Sequence, residues 1–177
     1  LLQLRHLLPI ALIHPLVARA ALGIRQGFAA GIEADAGGAQ LVQAGVAALL
    51  TGQPQSIKGR LGTVGFCYGG AIANFLATQL PDLQAAAPFY GGAPDVADVP
   101  AIKAELLVVL AADDPRVNAS WPGYQAALEA ASTDYTLLQP GGTVHGFHND
   151  TTPRYDEDAA RLAWDATLDL FERRLKG

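Results

Sequence analysis

Gly62-Thr63-Val64-Gly65-Phe66-Cys67-Tyr68-Gly69-Gly70 closes an apolar run and leads straight into the alanine-rich stretch Ala71-Ile72-Ala73-Asn74-Phe75-Leu76-Ala77. A lone cysteine between glycines at a strand-to-helix corner has the form of a nucleophile elbow with a thiol in place of serine. Glycines on either side let the backbone turn sharply where a Cβ would block it. The turn lifts the side chain above the sheet and aims the next backbone N–H groups at a reacting carbonyl. An inert, buried core cysteine is the plain alternative. The glycine setting favours the nucleophile.

Working outward, short apolar runs alternate with amphipathic ones. Strands are expected over 7–14, 28–32, 60–67, 85–90, 105–111 and 135–139. Helices are expected over 17–26, 40–50, 70–80, 120–131 and 156–175, the third burying Ile72, Phe75, Leu76 and Leu80. Ser120 is the expected cap of the fourth, with Pro122 in its first turn. Along the last, Ala159, Leu162, Ala163, Ala166, Leu170 and Phe171 form one apolar stripe. This alternation predicts an α/β fold, an open and mostly parallel sheet flanked by helices. There is no repeat or low-complexity segment, and one domain over 1–177 is expected.

Composition narrows the function. The formal charge is −5 and no Lys/Arg cluster occurs, which argues against nucleic acid or an anionic membrane as the main partner. One cysteine cannot form an intrachain disulfide. Pro9, His14 and Pro15 break the apolar segment 7–18, which is too short to span a bilayer and lacks an export cleavage site. A cytoplasmic setting is the default expectation. The chain has no Met, so Leu1 is not an encoded start, and either an upstream segment was removed or this is a fragment.

In such sheets active sites form at the carboxyl ends of the strands. Cys67 ends one strand, Asp113 and Asp114 follow another, and His145 follows the last, within Gly141-Gly142-Thr143-Val144-His145-Gly146-Phe147-His148. Nucleophile, acid, histidine is the chain order of α/β-hydrolases. A thiol of ordinary pKa needs an imidazole to take its proton, and the imidazole needs a carboxylate to fix its tautomer. Tyr68, after the cysteine, offers a backbone N–H to an oxyanion. Read singly, the aspartates could be loop caps and His145 a structural histidine. His145 and His148 as a metal pair is the weaker reading, since no carboxylate ligand is fixed beside them.

At these residues the chain resembles the dienelactone hydrolase (carboxymethylenebutenolidase) family of the α/β-hydrolase superfamily. The matching phrases are Gly62 to Gly70, Pro88-Phe89-Tyr90-Gly91, Asp114-Pro115-Arg116-Val117-Asn118, and His145-Gly146-Phe147-His148-Asn149-Asp150. The tail Pro153-Arg154-Tyr155-Asp156 with Ala159-Ala160 and Ala163-Trp164 resembles one bacterial branch. The resemblance implies Cys67 as nucleophile, His145 as base and Asp114 as acid, Asp113 being the fallback. It implies hydrolysis of a small ester or lactone, without metal or organic cofactor.

Departures from the family pattern fall mostly before residue 58. Members usually continue the strand ending here at His14 with a Glu and a glycine-containing loop that supplies the second oxyanion donor. Here Pro15 follows, without an N–H, and neither Glu33 nor Glu105 stands in a matching context. The expected fold is therefore α/β-hydrolase-like but shortened on its N-terminal side, with a sheet edge open to self-association. Position 149 is Asn where the best-known members carry an arginine for the substrate carboxylate. Tyr90, Trp121 and Phe147 are candidate pocket walls, with packing as the equal alternative. The rival functions are a catalytically impaired scaffold and a redox-reactive cysteine protein.

Overall fold

The computed structural model describes residues 59–176. The chain divides into Leu1–Gln53 and Pro54–Gly177, and the described residues fall within the second unit. The elements expected at 7–14, 17–26, 28–32 and 40–50 lie outside them, and the one-domain expectation reaches beyond them.

Strands β1 (Leu61–Phe66), β2 (Leu83–Phe89), β3 (Glu105–Val109) and β4 (Tyr135–Leu138) form a four-stranded sheet in the order β1-β2-β3-β4. Every neighbouring pair is parallel. Among the described residues the α-helices are α1 (Tyr68–Gln79), α2 (Pro115–Asn118), α3 (Trp121–Ala130) and α4 (Glu157–Phe171), and a wider π-helical turn, Glu172–Lys176, continues α4. Strand side chains alternate between two cores, as a period of two requires. Leu106, Val108 and Leu110 pack with Ala77 of α1 and with Tyr124 and Leu128 of α3. Leu107 and Val109 face the other way, onto Ala159, Ala163 and Leu170 of α4. Burial on both faces explains why the strands read as continuous apolar runs.

Three local expectations need correction. On α1 the buried residues are Gly70, Ala73, Asn74, Ala77 and Thr78, while Ile72, Phe75, Leu76 and Leu80 are half-buried. The helix lies so near the sheet that a Cβ on Gly70 would overlap Phe89 O, so small residues take the contact and large ones flank it. On α4, Leu162 is 53% exposed. At 3.6 residues per turn it lies roughly 100° round the helix from the centre of the buried face.

Ser120 does not cap α3. A short helix, α2, runs almost directly into α3 and leaves Ser120 in helical backbone. Its hydroxyl donates to Val117 O (2.8 Å) and accepts from the Ala93 N–H (3.3 Å). Pro122 does occupy the first turn.

At the amino end of the sheet, Arg173 holds Glu105 through two hydrogen bonds of 2.9 and 3.2 Å, pinning the C-terminal turn to β3. That gives Glu105 a structural partner far from the carboxyl ends of the strands. No helix among the described residues is long and apolar enough to cross a membrane.

Candidate active site

Cys67 occupies the corner between β1 and α1, with φ 54° and ψ −117°, a region that side chains other than glycine rarely adopt. Its N–H donates to Phe89 O (3.0 Å), completing the ladder to β2, and its carbonyl accepts from the N–H groups of Gly70 and Ala71 (3.0 and 3.2 Å). These bonds on both sides hold the strained residue in place. On the strand side glycine is a steric necessity: a Cβ on Gly65 would overlap the Gly69 carbonyl. The thiol is exposed above the sheet, and Tyr68, first residue of α1, is 57% exposed beside it.

The acid and histidine loops leave the carboxyl ends of β3 and β4 and run side by side. Asp113 and Val144 form a parallel bridge, and the Asp113 N–H donates to Thr143 O (2.9 Å). Beyond this bridge the next residues meet: His145 Nδ1 lies 2.5 Å from Asp114 Oδ2. Asp114 is 5% exposed and His145 26%. With the carboxylate ionised, Nδ1 carries the proton and donates, which leaves Nε2 as the acceptor. The second oxygen, Asp114 Oδ1, accepts from the Val117 N–H (3.3 Å) and caps α2. Asp113 is exposed, with its backbone in the ladder.

The remaining candidates separate by layer. Tyr90, directly after β2, is buried with its ring 5.0 Å from that of His145. Phe147 is fully buried and packs edge-on against Tyr90 (5.6 Å), a packing position. Trp121 packs against Tyr124 and Tyr135 (both 5.9 Å) in the α3 layer. His148 does not join His145. Its ring lies among Phe66, Phe89 and Trp164, and its buried Nε2 has no hydrogen-bond partner. Burial pushes its pKa down, partly opposed by Asp150. No group of three or more His, Cys, Asp or Glu suited to a metal occurs among the described residues.

Burial pushes the Cys67 thiol above its ordinary value. Arg154 and then Arg116 oppose that shift, and Asp114 adds to it. Neither arginine forms an ion pair among the described residues. The Arg154 guanidinium also lies beside Gly146, next to His145, where glycine takes φ 86°. An electrostatic role for these two arginines depends on distances that no sequence spacing reveals. Two surface hollows around Glu105, one reaching Thr136 and the other Asp134, lie at the amino end of the sheet and adjoin none of these residues.

A model of the dienelactone hydrolase family matches residues 26–175. The chain belongs to this family. A Saccharolobus solfataricus protein named "Putative carboxymethylenebutenolidase" is 32% identical over 120 residues, covering 67% of this chain and 46% of that one. Among solved structures, a dienelactone hydrolase-like promiscuous phosphotriesterase from metagenomic libraries has 29% identity and a TM-score of 0.66, over 77% of this chain and 59% of its own. Another, named m3DLH, reaches a TM-score of 0.72 at 24% identity, over 80% of this chain and 63% of its own, which shows the shared α/β-hydrolase fold. This dienelactone hydrolase family chain spans about half the length of the curated relatives it matches.

Proposed function

We propose that this member of a hydrolase family cleaves a small ester or lactone through a thioester on Cys67, with His145 as base and Asp114 as its orienting acid. The observation that carries the reading is the buried Asp114 bonded to His145 at the same sheet end as the strained, exposed Cys67. Cys67 Sγ attacks the carbonyl carbon while His145 Nε2 takes the thiol proton. The C–O bond to the leaving group breaks, and the imidazolium returns that proton to the departing alkoxide. Water then attacks the thioester, giving its proton to His145, and the thiolate leaves and is reprotonated.

A thiol raised by burial rests mainly as the neutral group, so proton removal accompanies attack rather than preceding it. Asp114 does not need to accept a proton; it holds the tautomer and stabilises the imidazolium. The Tyr68 N–H, at the positive end of α1, is one oxyanion donor, and Arg154 and Arg116 favour the negative charge that develops. The second donor expected after His14 lies outside the described residues. The raised thiol gives little support to an oxidant-sensing cysteine, which depends on thiolate character.

Steady-state cleavage of p-nitrophenyl acetate by the protein and by Cys67→Ala tests the reading. Turnover that requires Cys67 is expected. Equal rates in the two proteins would leave a catalytically inert scaffold.

A further inference from the structure

Phe66 pairs with Phe89 across β1 and β2, so Cys67 and Tyr90 are the next residues on neighbouring strands. Both leave the sheet with positive φ, 54° and 38°. At Cys67 the elbow accounts for the strain. At Tyr90 the backbone alone would be served better by glycine, which already follows at Gly91 and Gly92. A bulky residue in this region is strained and persists where surrounding structure imposes it, most often at functional sites.

The ring is what that strain places. Phe147 and Phe89 hold its body, at 5.6 and 6.1 Å, and its hydroxyl lies near the His148 backbone. Burial pushes that hydroxyl above the ordinary tyrosine value, so it stays protonated. The immobilised ring lies 5.0 Å from His145, inclined at 59°. Asp114 grips the imidazole at Nδ1 alone, and one hydrogen bond leaves a ring free to swing about its axis. A second surface is needed to fix its plane.

We propose that Tyr90 is a positioning residue for His145, its strained backbone setting a ring against which the imidazole is held facing Cys67. This rests on the assignment of His145 as the base. The contact strengthens as the imidazole becomes charged, because an aromatic face within about 6 Å attracts a cation. Its benefit therefore falls on the transition state rather than on substrate binding.

The test compares the native protein with Tyr90→Phe, which keeps the ring but frees it from His148, and Tyr90→Leu, which removes it. Three quantities are read: kcat and KM for p-nitrophenyl acetate, and the pH midpoint of Cys67 alkylation by iodoacetamide. The expected order of kcat is native, then Phe, then Leu. Tyr90→Leu should lose about ten- to a hundredfold, the scale of a misplaced catalytic group, with KM within about threefold of native. The alkylation midpoint should climb in the same order as the imidazole loses its hold on the thiol. Any other order overturns the proposal, including a native-like Leu variant or a Phe variant as damaged as Leu. If Tyr90→Leu does not fold, native against Tyr90→Phe decides in the same terms. If Cys67→Ala retains full turnover, the hydrolase reading fails, and the alkylation order alone decides this inference.

Discussion

The hydroxyl oxygen of Thr143 lies 3.0 Å from the amide nitrogen of Ala112 and accepts its hydrogen bond, joining the histidine loop to the acid loop. The same hydroxyl donates to Pro140 O (2.7 Å), and the Thr143 carbonyl accepts from Asp113. Asp114 and His145 are the residues just beyond this clamp, and their short contact depends on the two loops keeping register. Thr143→Val keeps the shape but removes both of these part-buried hydrogen bonds, which should destabilise the protein by about 1–3 kcal/mol. Thr143→Ser should recover most of the loss. Urea unfolding of the three proteins measures it, and equal stabilities would remove the clamp from the account.

Asp114→Asn can keep the α2 cap, since its carbonyl oxygen still accepts from Val117. Its amide NH2, however, would face Nδ1 and favour the wrong imidazole tautomer. The expected loss in kcat is about a thousandfold to ten-thousandfold, the scale known for such a substitution in a serine triad. Asp113→Asn, at an exposed side chain, should stay within a few-fold of native. Steady-state kinetics on both variants would expose an exchange of roles.

The elbow glycines differ in a way that stability can read. A Cβ on Gly65 would overlap Gly69 O, and one on Gly91 would overlap Ala71 N, whereas nothing lies within 4 Å of one on Gly69. Gly65→Ala and Gly91→Ala should each cost about 1–3 kcal/mol or more through overpacking. Gly69→Ala, inside α1, should be neutral or stabilising by up to about 1 kcal/mol. Thermal melts of the three variants give the comparison. A destabilised Gly69→Ala beside tolerant neighbours would contradict the packing described.

His148 gives an acid dependence of stability. Burial lowers its folded pKa, so below the ordinary histidine value of about 6.5 the unfolded chain binds more protons than the folded one. Stability should therefore fall as pH drops from that value toward the lower, folded one. His148→Phe suits the surrounding Phe66, Phe89 and Trp164 and removes the unpartnered Nε2, so the fall between pH 7 and 5 should flatten. Urea midpoints across that range test this; an unchanged slope would mean that His148 protonates freely in the fold.

Cys67 should react with iodoacetamide with a midpoint above the ordinary cysteine value, because burial outweighs the two arginines. Arg154→Gln should raise it further. A midpoint below the ordinary value, or one lowered by that substitution, would reverse the electrostatic picture.

The elbow was legible in the sequence because its tight corner needs glycines, and Gly65 and Gly70 stand where a Cβ would overlap backbone. The strands were legible because residues such as Leu106 to Leu110 are buried on both faces. The family resemblance favours Asp114 over Asp113, but strand pattern alone does not separate them, since the choice turns on a single-residue register beyond β3. The backbone ladder to Val144 takes Asp113 and turns Asp114 inward. The buried face of α1 was hidden for a different reason. Close approach to the sheet rewards Gly70, Ala73 and Ala77, which hydrophobicity ranks below Ile72 and Leu76. Tyr90 is legible only as a candidate pocket wall, and neither its left-handed backbone nor the Thr143 clamp shows in the sequence, because those features exist only once distant loops meet.

The most direct test of the central claim is quenched-flow mass spectrometry of the protein mixed with p-nitrophenyl acetate, with peptide mapping. The account predicts one acetyl group on Cys67, formed in the burst, held as a thioester that hydroxylamine releases, and discharged as turnover proceeds. Continued hydrolysis with Cys67 unmodified at every time point would contradict it.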